Sequence, residues 1–263
     1  MPLIQVSCLG QMGRWGNQLF QYAFARGYAE AHRCELQTPP WLGQLIFENV
    51  NDPPLDRKLP RTDSDLAFPD RLGAFFGRTD LDLRGFFQHQ LFLDYYTREQ
   101  VRRWFTVKPE LEAICGTPGF SASAIHPRFY QLGEDQLYCN INLSSYTRAL
   151  KRWSPPPPVF WVSAGWREPL SRLLAIADER LAIDAHYRSL GFLADFLFLR
   201  DAAVLLRANS SFSWWAATLG VGRIYSPVVG DKTGVQDVDF VPGNWPNLAG
   251  GFPNQSDLHL KEK

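Results

Sequence analysis

Apolar runs and glycine-rich breaks alternate along the chain. Leu3-Ile-Gln-Val-Ser-Cys-Leu9 reads as a strand that stops where Gly10, Gly13 and Gly16 follow in quick succession. In residues 17–32 the side chains of Leu19, Phe20, Ala23 and Phe24, with Gly27, fall on one stripe at 3.6-residue spacing, which predicts a helix. Residues 38–77 are rich in proline, aspartate and glycine and read as loops with short helices. Residues 81–87 alternate weakly, as a strand would. Residues 97–105 read as a helix with Thr97 as N-cap and Glu99 and Gln100 in its first turn. A short strand at 121–125 and a helix at 144–153 complete the first pass.

Pro155 through Pro158 form a stiff connector into a strand at 159–163. Helices are expected at 169–180 and 192–199, and an apolar strand at 202–206. Asn209-Ser-Ser-Phe-Ser-Trp-Trp215 opens another helix, and a last strand at 222–226 precedes a tail rich in glycine, asparagine and proline. Strands alternating with helices predict an open α/β sheet. There is no internal repeat. Gly116-Thr-Pro-Gly119 marks the expected boundary, giving an N-terminal half over residues 1–118 and a C-terminal half over 119–263.

Composition narrows the function classes. The 263 residues are 45% hydrophobic and 21% charged, which suits a globular protein with a sizeable core. Lysine plus arginine and aspartate plus glutamate both number 27, so the basic excess of a general nucleic-acid or membrane-surface binder is missing. A small anionic substrate needs only a local cluster of cations. Cys8, Cys34, Cys115 and Cys139 are widely spaced and read as buried free thiols, not a zinc site or a disulfide framework. No apolar run approaches the roughly 20 residues that span a bilayer, and the N-terminus lacks a basic leader, so the expected compartment is the cytoplasm.

Two places share one physical form, a strand, a tight bend and a helix start. The first bend is Gly10-Gln-Met-Gly-Arg-Trp-Gly16 before Asn17, and the second is Arg207-Ala-Asn-Ser-Ser-Phe-Ser213. A helix start offers unpaired N–H groups and the positive end of its dipole to an anion. Ser210, Ser211 and Ser213 add hydroxyls, while Asn17 and Asn209 add amides. Either corner also reads as an ordinary cap. Gly10, Gly13 and Gly16 follow neither the dinucleotide fingerprint nor the Walker loop. A third candidate is Ile125-His-Pro-Arg128, which puts an imidazole and a phosphate-matching guanidinium at a strand tip; a plain surface turn is the alternative.

Together these residues resemble a known family. Gly13-Arg-Trp-Gly-Asn-Gln-Leu-Phe-Gln-Tyr-Ala-Phe24, Gly85-Phe-Phe-Gln88 and Ala208-Asn-Ser-Ser-Phe-Ser-Trp-Trp215 are similar, in order and spacing, to the motifs of the glycosyltransferase family 11 fucosyltransferases. The resemblance implies a GT-B-like α/β fold, with two Rossmann-like halves facing across a cleft. The N-terminal half would serve the acceptor and the C-terminal half the nucleotide-sugar. It also implies inverting transfer of L-fucose from GDP-fucose to a glycan hydroxyl, commonly in α-1,2 linkage, without metal or other cofactor. On this resemblance Arg128 would contact the β-phosphate and His126 would seat the nucleotide. Gly13, Arg14, Gly16, Asn209, Ser210, Ser211 and Phe212 would bind the donor, and Asn17 would lie near the glycosidic oxygen. The family's H-x-R-R-G-D-Y reads His126-Pro-Arg-Phe-Tyr130 here, and its S-D-D reads Ser163-Ala-Gly165. Two alternatives follow from those departures: a different nucleotide-sugar donor, or a nucleotide-sugar-binding relative without transfer activity.

The remaining chemistry is sparse. The Asp-x-Asp triplets at 63–65, 80–82 and 237–239 do not follow apolar runs, as a metal-binding triplet of a transferase would. Arg14 and Arg207 could replace the second family arginine, although each reads more simply as a solvated surface residue. Glu134 and Asp135 are the carboxylates closest in sequence for a general base. Trp15 or Trp41 could stack on an acceptor sugar, whereas Trp214 and Trp215 are expected in the core.

Overall fold

The computed structural model describes residues 1–61, 80–88, 90–115, 122–128, 139–162, 185–188, 190–229 and 234–244. Expectations for residues 63–65, 134–135, 163–165 and 169–180 lie outside the described residues. The chain divides into two compact units, one formed by Met1–Leu111 and the other beginning at Glu112.

The first unit is built on a parallel sheet in which β1 (Leu3–Gln5) lies between β2 (Glu35–Gln37) and β3 (Leu81–Asp82). The strand expected over residues 3–9 stops early because the chain turns. Leu9 N–H donates to the Val6 carbonyl at 3.0 Å, and Asp82 accepts the Ser7 N–H and hydroxyl at 2.8 and 2.6 Å. Helix α1 (Trp15–His32) starts two residues before the expected Asn17, and Leu19, Phe20, Ala23, Phe24 and Gly27 are all buried. Gly27 is needed for packing: a Cβ there would fall 2.6 Å from the Tyr95 carbonyl oxygen. Phe24 anchors an aromatic cluster with Phe87, Phe92 and Tyr95 at centroid distances of 4.6, 4.9 and 5.2 Å. The same unit holds the short helices α2 (Leu42–Ile46), α3 (Gln90–Leu93), which supplies Phe92, and α4 (Arg98–Trp104). Thr97 caps α4 in a reciprocal box: Gln100 N–H donates to its hydroxyl oxygen, and Thr97 N–H donates to Gln100 Oε1.

In the second unit, after α5 (Pro109–Cys115), the described strands form a six-stranded sheet. It contains β4 (Ser123–Ile125), β6 (Val159–Val162), β7 (Ala185–Arg188), β8 (Val204–Leu206), β9 (Arg223–Pro227) and β11 (Phe240–Pro242). A small separate parallel pair joins β5 (Cys139–Ile141) to β10 (Gly234–Gln236). The order across the large sheet is β11-β9-β8-β4-β6-β7, parallel except for the β11–β9 pair. Helices α6 (Leu143–Trp153), α7 (Phe192–Asp201) and α8 (Ser211–Leu219) connect these strands. Ile125, Tyr146, Trp161, Val204, Leu206 and Phe240 belong to one buried cluster on this sheet.

The order of the parallel strands has a consequence. From β4 the chain steps outward through β6 to β7, then returns to place β8 on the opposite side of β4. The reversal makes β4 and β8 neighbours whose connections leave in opposite directions, and in open α/β sheets ligands bind beyond the carboxyl ends of such a strand pair. No helix among the described residues is long and apolar enough to cross a membrane.

Candidate functional site

Both sequence features of the second unit meet at that reversal. The β4 tip continues into His126-Pro127-Arg128, and the β8 tip into Arg207-Ala208-Asn209-Ser210. Register pairs Ile125 with Leu206, and His126 N–H donates to the Leu206 carbonyl at 2.9 Å. The imidazole then lies 5.6 Å from the ring of Phe212, in the first turn of α8, and Phe212 meets Phe196 edge-on at 5.3 Å. His126 and Asn209 are buried, whereas Arg128, Ser210, Ser211 and Phe212 are half-buried.

Serine chemistry shapes the start of α8. Ser210 is the N-cap and its hydroxyl oxygen accepts the Phe212 N–H at 3.3 Å. Ser213, expected as a further donor toward a ligand, is turned inward instead. Its hydroxyl donates to the carbonyls of Ala208 and Ser210 at 3.4 Å each, and the residue is fully buried. Trp214 and Trp215 lie in the core, as expected.

The electrostatics are unusual for so small a region. Burial holds His126 down at a pKa of about 3, and the positive charges of Arg128 and Arg207 push the same way. The imidazole is therefore neutral at physiological pH, and among the described residues its Nδ1 has no hydrogen-bond partner. Arg207 corrects the sequence reading: it is not a solvated surface residue but 0% exposed, and burial lowers its pKa to about 9. Its sequence signal was available, since Arg207 directly extends the apolar run Val204-Leu-Leu206 of a strand covered on both faces.

The first unit carries the other expected residues, Gly13, Arg14, Gly16 and Asn17. Gly13 has φ +77°, and a Cβ on it would lie 2.6 Å from Asn17 Nδ2, so both backbone and space demand glycine. Gln88 Nε2 donates to Asn17 Oδ1 at 2.8 Å, which fixes the direction of the Asn17 amide. Arg14 is exposed and Gly16 is buried in the first turn of α1. Trp15 and Trp41 are buried against each other, with centroids 6.2 Å apart, so neither offers an open face to a sugar.

The described Asp-x-Asp triplets hold the fold together. Asp80 accepts the Leu3 N–H and pairs with Arg57, Asp82 pins Ser7, and Asp237 accepts Ser144, Ser145 and Arg148. Among the described residues no group of three or more His, Cys, Asp or Glu side chains could hold a metal ion. Cys8, Cys34 and Cys115 are free; only Cys8 is buried, the other two being partly exposed.

No family model and no curated protein sequence matches the chain. Solved structures do. The NodZ α-1,6-fucosyltransferase soaked with GDP-fucose is 17% identical, with a TM-score of 0.55 over 92% of this chain and 99% of that one. Fucosyltransferase NodZ from Bradyrhizobium is also 17% identical, at a TM-score of 0.56 over 86% of this chain and 95% of that one. A mutant of FUT1 from Arabidopsis thaliana in complex with GDP is 13% identical, with a TM-score of 0.57 over 85% of this chain and 69% of that one. The chain thus has a GT-B-like α/β fold shared with fucosyltransferase structures.

Proposed function

We propose that this protein is a glycosyltransferase of the family 11 type. On this reading it transfers L-fucose from GDP-fucose to a glycan hydroxyl in the cytoplasm, with inversion and without a metal ion. The observation that carries the reading is the meeting of two strand tips at the point where the sheet reverses its order. There a guanidinium on one tip and a serine-capped helix start on the other adjoin through the His126–Leu206 bond and the His126–Phe212 contact. The fold likeness to GDP-bound and GDP-fucose-soaked structures supports it.

In this mechanism the second unit handles the donor. As the glycosidic bond breaks, negative charge grows on the leaving diphosphate. Arg128 and the N–H groups at the start of α8 face that charge already oriented, so no reorganisation is needed as the reaction proceeds. Neutral His126 and Phe212 give the nucleotide an apolar wall. Asn209, Ser210 and Ser211 complete the donor side. The first unit brings the acceptor, with Asn17 held by Gln88 and given room by Gly13.

The second reading, a binding relative without transfer, is favoured by one observation: Phe129 stands where the resembled motif has its second arginine. A panel of GDP-fucose and other GDP- and UDP-sugars, with mass detection of released nucleotide and glycosylated acceptor, tests both. Fucose transfer is the expected result. Stabilisation by GDP without release or transfer would leave the binding relative, and no response to any nucleotide would reject both.

A further inference from the structure

Arg207 sits directly under the corner just described, and its bonds are all internal. Its Nε donates to Ser226 Oγ at 2.8 Å, and Ser226 in turn donates to the Gly243 carbonyl at 2.7 Å. Its Nη1 donates to the Ala208 carbonyl at 2.9 Å, the same oxygen that Ser213 approaches from α8. Among the described residues its buried Nη2 has no hydrogen-bond partner, and no carboxylate acts on the group. A buried cation held only by neutral partners is costly to keep, because those two hydrogen bonds repay part of the hydration that burial strips and no opposite charge repays the rest. Such a charge is tolerable where a ligand supplies the missing negative partner.

The neighbours agree. His126 N–H is bonded to the Leu206 carbonyl, one residue before Arg207, and Arg128 follows His126 by two residues, so both cations belong to the same pair of strand tips, and both charges bear on the imidazole. That imidazole also carries a buried, unpartnered nitrogen and lies against the first turn of α8. Two guanidinium groups and a helix start form an excess of positive potential that a single carboxylate would not balance. A diphosphate ester, with at least two negative charges spread over several oxygens, does.

We propose that Arg207 is a positioning residue of this site: its buried charge and its grip on the Ala208 carbonyl set the β8–α8 loop and tune it for a pyrophosphate group. The inference deepens the functional reading above and rests on it. Arg207 acts through the loop and through space, whereas Arg128 is the guanidinium that reaches the ligand.

The test uses the full chain as native protein, Arg207→Met and Arg207→Lys, titrated calorimetrically with GDP, inorganic pyrophosphate and guanosine. Arg207→Met is expected to bind GDP and pyrophosphate at least about tenfold more weakly. Its guanosine affinity should be unchanged and its ligand-free Tm no lower, with Arg207→Lys recovering part of the loss. Undiminished GDP and pyrophosphate affinity in Arg207→Met overturns the inference alone. So does an equal loss for guanosine and GDP, which would mark a merely structural role. Native protein that binds pyrophosphate but no nucleotide, with the Arg207→Met loss intact, keeps the inference and ends the functional reading. Native protein that binds none of the three ends both. Should Arg207→Met not fold, Arg207→Gln, which can still donate to Ser226 or Ala208, carries the same comparison with the same outcomes.

Discussion

The imidazole of His126 and the ring of Phe212 lie 5.6 Å apart, tilted by 35°, and this contact ties the tip of β4 to the first turn of α8. Phe212 is held on its other flank by Phe196 at 5.3 Å. The ring is half-buried, so its truncation to alanine should cost less than a core phenylalanine would, about 1–2 kcal/mol. The larger effect should appear in binding, because the loosened ring would free the helix start from the histidine. Phe212→Ala is expected to weaken GDP about tenfold in calorimetry, with urea unfolding still cooperative. Native-like affinity would show that the aromatic contact serves packing alone.

Arg128, two residues beyond His126 at the tip of β4, is half-buried. Loss of one oriented donor facing developing charge typically costs about 10²–10³ in rate. Arg128→Ala should lose at least that much turnover with its Tm preserved, read by mass detection of released nucleotide. Turnover equal to the native protein would remove Arg128 from the mechanism.

Much of the scaffold was legible in the sequence, for identifiable reasons. The stripe through Leu19, Phe20, Ala23 and Phe24 announced α1, and Thr97 with Gln100 announced the start of α4. The Ser-rich run ahead of Trp214 announced the cap of α8. What escaped were elements defined by partners remote in sequence. Glu35–Gln37 becomes a strand because Gln5 and Leu3 pair with it, and a three-residue polar-apolar-polar run carries no period of its own. The burial of Arg207 was missed for another reason: its place at the end of an apolar run pointed inward, but an arginine's default is solvent, and that default outweighed the run.

Gln88 and Asn17 provide a test confined to the first unit. The 2.8 Å bond fixes which way the Asn17 amide points, and the bond is partly buried, so its loss should be felt more in function than in folding. Gln88→Leu is expected to lower transfer about tenfold while Tm moves by only a few degrees. Gly13→Ala should do more damage, because a left-handed backbone and a 2.6 Å approach to Asn17 Nδ2 must both be relieved. Equal transfer rates in native protein and Gln88→Leu would free Asn17 from any assigned role.

The neutral state of His126 has a pH signature whose sign is fixed by where protons bind. In the folded protein its pKa is held at about 3, while in the unfolded chain it returns to about 6.5. Between those values the unfolded chain carries a proton that the folded protein refuses. The stabilisation from a neutral buried imidazole is thus complete above pH 6.5 and drains away as pH falls toward 3, at up to about 1.4 kcal/mol per pH unit. Carboxylates titrate over part of the same range, so a variant is needed to isolate the histidine. His126→Gln retains a polar side chain that does not titrate, and every other group is shared. Urea unfolding at pH 7, 6 and 5 should show native protein losing about 2 kcal/mol more than His126→Gln between the extremes. Parallel stability curves for the two proteins would mean that the imidazole takes up its proton in the folded protein as readily as in the unfolded chain, and the apolar wall beside the guanidinium would have to be abandoned.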